Sequence, residues 1–171
     1  STMVNYWILT PYYSPDKDTY ERAWNYDLAN NTIATGWAKL GPPIKQLSLL
    51  DHDVLRDRIY NYYPERAKVT RGLDATEINR FYNLIKIGDR VIARKGTGKM
   101  VAQGTVTGEA FYDADAGAAR VGPGKTIYPN FIKVDWQPDF RIFANPRMFG
   151  RNTVMKKSRE GFEAVLNAPT A

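Results

Sequence analysis

Ile87-Gly88-Asp89-Arg90-Val91-Ile92-Ala93-Arg94-Lys95-Gly96-Thr97-Gly98-Lys99-Met100-Val101-Ala102-Gln103-Gly104-Thr105-Val106 is the stretch whose reading decides the fold class. Ile87-Gly88-Asp89 reads as a turn, because glycine tolerates turn angles and aspartate bonds its own nearby backbone. Arg90 to Arg94 then alternates, with Val91 and Ala93 on one face and Ile92 and Arg94 on the other. That is the two-residue period of a strand. Gly96-Thr97-Gly98-Lys99 is a second turn, and Met100 to Val106 returns as a strand, which makes a β-hairpin.

Towards the N-terminus the pattern is mixed. Tyr6-Trp7-Ile8-Leu9 is short, aromatic and partly β-branched and reads as a strand ending at Pro11. From Asp18 to Ala29 the residues Tyr20, Ala23, Trp24 and Leu28 fall at helical spacing. Thr32 to Thr35 is a second extended piece closed by Gly36-Trp37, and Gly41-Pro42-Pro43 is a break. Helices are expected over 51–63 and 74–84, joined by a basic segment from Arg66 to Gly72. Beyond the hairpin, Asp113 to Asn130 reads as a long loop and Phe131-Ile132-Lys133-Val134-Asp135-Trp136 as a strand. Phe140 to Phe143 is a further short strand, and Ser158 to Leu166 a terminal helix. The sum is an α+β chain, a small and mostly antiparallel β-barrel with helices packed around it. It reads as a single domain over residues 1–171, with a core of about 5–137 and a basic C-terminal extension.

Composition narrows the chemistry. The 171 residues are 43% hydrophobic and 13% aromatic, enough for an ordinary packed core without disulfide or metal. There is no cysteine, which removes thiol nucleophiles and thiolate metal sites. His52 is the lone histidine, so a Ser-His-Asp triad has one candidate and a His-rich metal site has none. No cofactor is expected. The net charge of +6, from 24 Lys+Arg against 18 Asp+Glu, favours a polyanionic partner, of which nucleic acid is the commonest. No apolar run reaches the roughly 18 residues of a membrane span and no signal peptide opens the chain, so a membrane partner is not expected.

The motifs that invite catalysis fall short of it. Gly96-Thr97-Gly98-Lys99 lacks the spacing, the Ser/Thr and the following helix of a phosphate-binding loop, and Met100 follows instead. The pairs Asp113 with Asp115 and Asp51 with Asp53 lie in polar, turn-rich sequence where aspartate serves local backbone bonding. His52 between two aspartates reads as a solvated helix start. A binding protein rather than an enzyme is expected. Trp37 is open to two readings: a core residue, or one wall of a flat pocket on which a base could stack.

The order of segments resembles the PUA-like superfamily, in particular the EVE and YTH domains and the N-terminal domains of McrBC-type modification-dependent restriction proteins. The residues that carry it are Tyr6 to Leu9, Ile33-Ala34-Thr35-Gly36-Trp37, Phe81 to Val91, Val101 to Glu109, Phe111-Tyr112-Asp113 and Phe131 to Trp136. The resemblance implies a reader that flips a modified base into an aromatic pocket. It implies Trp37 as a cage wall, Ala38 as the source of a backbone carbonyl, and Thr10, Pro11 and Tyr12 at the base edge. Where YTH domains place a second tryptophan this chain has none, so Tyr112 or Tyr128 is expected to substitute.

Basic residues in the segments that would rim the slot are Arg66, Lys68, Arg71, Arg94, Lys95, Lys99, Arg120 and Lys125, with a second stretch from Arg141 to Arg159. Of these, Arg71, Arg94, Lys95, Lys99, Arg120 and Lys125 are the expected contacts to phosphates. The implied function is recognition of 5-methylcytosine, 5-hydroxymethylcytosine or N6-methyladenine, in DNA first and in RNA as the alternative. The implied setting is a prokaryotic cytoplasmic restriction system, with nuclease or NTPase activity in another domain or subunit. An RNA-cleaving or hydrolytic enzyme and a small-ligand module are the competing classes.

Overall fold

The hairpin forms as its alternation requires. In the computed structural model, which describes residues 3–67 and 73–171, β3 (Arg90–Lys95) pairs antiparallel with β4 (Lys99–Val106). The remaining strands are β1 (Tyr6–Leu9), β2 (Thr32–Thr35), β5 (Phe111–Tyr112), β6 (Asn130–Ile142) and β7 (Val154–Lys157). They join in the order β2-β6-β4-β3-β1-β7, with β5 also on β6. Only β1 with β3 is parallel, Tyr6 lying opposite Arg90 and Leu9 opposite Ala93. The sheet is therefore mostly antiparallel, and it curls as a half-barrel whose path ends at β2 and β7.

Helices cover the sheet. They are α1 (Lys17–Asn30), α2 (Ile44–Leu47), α3 (His52–Tyr62), α4 (Leu73–Asn79), α5 (Ala114–Val121) and α6 (Arg159–Leu166). A 3₁₀ turn follows β2 at Ala38–Leu40 and another follows α3 at Pro64–Arg66, while α4 runs on into a π turn at Arg80–Leu84. Trp7, Leu9, Val91 and Ala93 point into one core with Tyr20, Ala23 and Trp24 of α1. Ile8, Ile92 and Met100 point the other way, onto Phe162 and Val165 of α6. Both faces of β1 and of the Val91–Ala93 run of β3 are thus buried, which explains why those runs are apolar. A third cluster, Leu40, Ile44, Leu55, Ile59, Ala75 and Ile78 around Trp37, unites α2, α3 and α4 beside the end of β2.

Three elements depart from the expected order. Residues 113–130 hold α5 rather than a plain loop: Asp113 caps it by accepting from the Ala116 N–H at 2.9 Å. Alanine at four of its eight positions and the Asp113 cap favour this helix, which is short and set between glycine- and proline-containing segments that read as loop. Phe131 and Phe140 belong to one 13-residue strand, β6, which passes Pro138 at a register shift against β4. The basic C-terminal stretch supplies β7, paired with β1, and α6, which packs on the sheet.

Buried polar groups tie these layers together. Asp89, from the turn ahead of the hairpin, accepts from the Trp7 indole at 2.9 Å and from the Asn5 and Lys86 amides at 3.0 and 2.9 Å. Arg120 of α5 and Asp27 of α1 are both fully buried and joined by two hydrogen bonds of 2.9 and 2.7 Å. Arg120 also donates to the Pro11 carbonyl at 2.6 Å, and Asp27 accepts from Thr32 at 3.0 Å. Removing one member of such a pair leaves an uncompensated buried charge. Arg120→Leu is therefore expected to lower unfolding free energy by about 3–5 kcal/mol, read as a fall in the urea midpoint.

Candidate functional site

The site is built at the end of β2. Thr35 closes the strand, Gly36 follows, and Trp37 takes left-handed angles of φ 71° and ψ 34°. A bulky aromatic residue rarely adopts them, and the strain is on the order of 1–3 kcal/mol. The fully buried Asn130 holds the bend: its amide donates to the Gly36 carbonyl and its oxygen accepts from the Tyr82 hydroxyl. So placed, the Trp37 ring is 8% exposed and packs on the helical layer. Tyr63 meets it edge-on at 5.4 Å and 90°, and the Arg66 guanidinium lies 5.1 Å from the ring centre. The Tyr63 hydroxyl accepts from the Lys39 amide at 2.9 Å, which fixes that second ring.

These residues enclose a cavity of about 430 Å³. Trp37, Tyr63 and Tyr128 give it flat faces, and Thr35, Arg66 and Glu77 give it polar groups. Tyr128 stands against Tyr12, with ring centres 4.6 Å apart, and burial pushes its hydroxyl up to about 12, so it stays protonated. Tyr12 donates to the Thr126 carbonyl at 2.9 Å. The segment carrying Tyr128 rests on α5 at Gly117, where a Cβ would meet Ile127 Cγ2 at 2.8 Å and the Tyr128 carbonyl at 3.0 Å.

Glu77, on α4, is one of two carboxylates that line the cavity, with Glu65 the other. The Glu77 Oε1 accepts from the Thr35 hydroxyl at 2.9 Å. Burial pushes its carboxyl up to about 7; Asp74 adds to that, while Thr35, Arg66 and the Trp37 indole N–H pull the other way. That indole N–H approaches Glu77 yet has no partner at normal hydrogen-bond geometry. Arg66 is held by two bonds of 2.7 and 2.9 Å to Asp74.

Of the residues singled out from the sequence, Trp37, Ala38 and Tyr128 line this cavity. The Ala38 carbonyl accepts from the Gly41 amide at 3.1 Å, leaving one lone pair for a ligand. Thr10 and Tyr12 line an adjoining cavity of about 520 Å³, which shares Tyr128 and Thr153 with the first. Tyr112 lines neither; it pairs with Asn130 on β6 and packs on the helical cluster, so of the two expected tyrosines Tyr128 is the one that lines the cavity with Trp37.

The expected phosphate contacts need correction. Arg120 is fully buried against Asp27, and Arg94 is buried with its guanidinium on the Gly96 and Asn152 carbonyls at 2.8 and 3.2 Å. Arg120 is sealed from solvent and Arg94 nearly so, so neither presents its charge at the surface where a phosphate would lie, although the Arg94 Nε and one Arg120 Nη have no hydrogen-bond partner. Lys95 pairs with Glu21 at 3.4 Å and Lys125 with Asp16 at 3.0 Å, both at the surface, and Lys99 is exposed where the hairpin turns. Arg71 lies outside the described residues. Arg66 and Arg151 border the cavities instead.

Tyr63 and Glu77 were not anticipated. A signal for Glu77 does exist: Asp74, Glu77 and Phe81 recur at the i, i+3, i+7 spacing of one helix face, so acids share the side of Ile78 that enters the core. Among the described residues, no group of three or more His, Cys, Asp or Glu side chains is placed to hold a metal ion. No described helix is long and apolar enough to cross a membrane.

In comparisons with known proteins, residues 12–158 match the profile described as Domain of unknown function (DUF8426). No curated protein matches in sequence. Among solved structures, the chain is similar to the YTH domain of the Zygosaccharomyces rouxii MRB1 protein in complex with N6-methyladenosine RNA. That likeness has 12% identity, covers 96% of this chain and 85% of that one, and has a TM-score of 0.45.

Glu77 makes stability depend on pH. Its folded value of about 7 lies above the ordinary 4.5, so the folded chain holds the extra proton between those values. Stability from this group is full below the lower value and lost as pH rises to the upper one. Urea titrations on either side of the window are expected to show Glu77→Gln gaining stability relative to wild type as pH rises.

Proposed function

The chain belongs to the DUF8426 family, which comes with no assigned activity, and from its own site we propose that it is a nucleic-acid reader holding one unpaired or flipped base beside Trp37. The observation that carries this is the cavity of about 430 Å³ with three aromatic faces and a polar and charged surround that includes Lys39, Glu65, Arg66 and Glu77. Its size falls in the range of about 300–1,000 Å³ usual for small-ligand sites. It has room for one base, which to enter it must leave its stack, at a cost of a few kcal/mol in a duplex. Stacking on an aromatic face returns about 1–3 kcal/mol per base, and the Arg66 guanidinium offers a further planar surface. The net charge of +6, with Arg66 and Arg151 at the cavity rims, supports binding of the flanking phosphates.

The finer reading is recognition of a methylated base. A methyl group against Trp37, Ile127 and Tyr128 would add roughly 0.8 kcal/mol, a modest but usable preference. Binding without catalysis is part of the proposal: the hydroxyl bonded to Glu77, that of Thr35, is buried at the end of β2 and is read as a structural contact. DNA as the partner, and a nuclease or NTPase acting alongside, extend the proposal by resemblance.

Fluorescence anisotropy with matched single- and double-stranded oligonucleotides, modified and unmodified, in DNA and in RNA, tests each part. Trp37→Ala is expected to weaken binding by about 5- to 150-fold, with circular dichroism confirming that the variant is folded. Affinity should fall steeply with salt. Unchanged affinity in a folded Trp37→Ala protein would defeat the base-pocket reading, and equal affinity for modified and unmodified strands would defeat the methyl preference.

A further inference from the structure

Glu77 stands between two cavities, the aromatic one and a smaller one of about 220 Å³ that it lines with Arg80 and Arg151. Thr35 donates to Oε1, and Oε2 has no hydrogen-bond partner among the described residues, yet is not sealed from solvent. The charged and titratable groups around it come from several elements. Asp74 shares its helix and Arg80 opens the π turn that continues it, Lys39 comes from the turn after β2, Tyr63, Glu65 and Arg66 come from the end of α3 and the turn after it, Tyr128 precedes β6, and Arg151 precedes β7. Arg66, the nearest cation, is clamped on Asp74 by two bonds and does not reach Glu77 at hydrogen-bond distance. A half-buried carboxyl so placed has one oxygen held as acceptor by Thr35, and in its neutral form the other carries the proton.

We propose that Glu77, acting within the base-reading site inferred above, is the residue that selects the base. In its neutral form it donates Oε2–H to a ring nitrogen and accepts at Oε1 from the neighbouring exocyclic amine. That pair of bonds fits the edge of adenine or cytosine, each of which sets an amine beside a ring acceptor. N6-methyladenine keeps one amine hydrogen, and 5-methylcytosine keeps its whole edge, so both remain ligands. Uracil or thymine seated the same way would set a carbonyl oxygen against Oε1 and an N–H against Oε2–H, which mismatches both contacts. The proton is available because burial already holds this carboxyl at about 7. Thr35 contributes by marking Oε1 as the acceptor.

The test is anisotropy with short single-stranded oligonucleotides carrying N6-methyladenine, 5-methylcytosine or uracil at the central position. In wild type, affinity for the two amine-bearing probes is expected to fall about tenfold between about pH 6 and about pH 8, following the protonated fraction of a group near 7. The uracil probe should bind at least about tenfold more weakly at the lower pH. Glu77→Gln, whose amide donates and accepts without titrating, should keep the preference and lose the slope. Glu77→Leu should bind the three probes alike. A flat wild-type profile, or a slope that persists in Glu77→Gln, overturns the assignment to Glu77 even where Trp37→Ala still costs affinity. Absence of binding by wild type to every probe overturns the assignment together with the reader function.

Discussion

The buried ion pair between Arg120 and Asp27 is the constraint on which the rest of the site depends. It joins α5 to α1, reaches the chain after β1 through Pro11 and touches the start of β2 through Thr32. An isolated charge in that position would be costly, so the four segments assemble together or not at all. The same guanidinium stands 5.9 Å from the Tyr128 ring. A residue that looks in sequence like one more surface cation is thus a brace behind the aromatic wall.

The opposite wall depends on a different device. Trp37 keeps its left-handed backbone because Asn130 and the helical cluster over-determine it, and no local preference of the sequence would choose that conformation. The two readings of Trp37, core residue and pocket wall, turn out to be compatible. The indole completes the core of α2 to α4 and still lines the cavity.

What was legible in the sequence was local. The hairpin, β1, β2, α1 and the first part of β6 follow from short-range periodicity, which needs no knowledge of partners. Arg94 already shared a face with Ile92, and the structure gives that arrangement its meaning: the side chain is inside, bonded to carbonyls. β7 escaped notice because it is a four-residue strand at the sheet edge with Lys156 and Lys157. Such charges are usual at an edge, where they discourage pairing with another chain. Order of segments points to Trp37 and Ala38 and leaves Tyr112 and Tyr128 open, whereas Glu77 on α4 and Tyr63 at the end of α3 reach the cavity through packing that only the assembled fold determines.

The seat of Tyr128 on α5 carries a consequence for what the cavity can admit. Gly117 leaves room for the Ile127–Tyr128 backbone to lie close against the helix, and a single methyl group there would collide with both residues. The aperture between the two aromatic walls is therefore set from the far side of one of them, by a position that never meets the ligand. Glycine is already the smallest spacer, so any larger residue at this position of the outer helix would crowd the Tyr128 segment, with every residue of the lining left as it is.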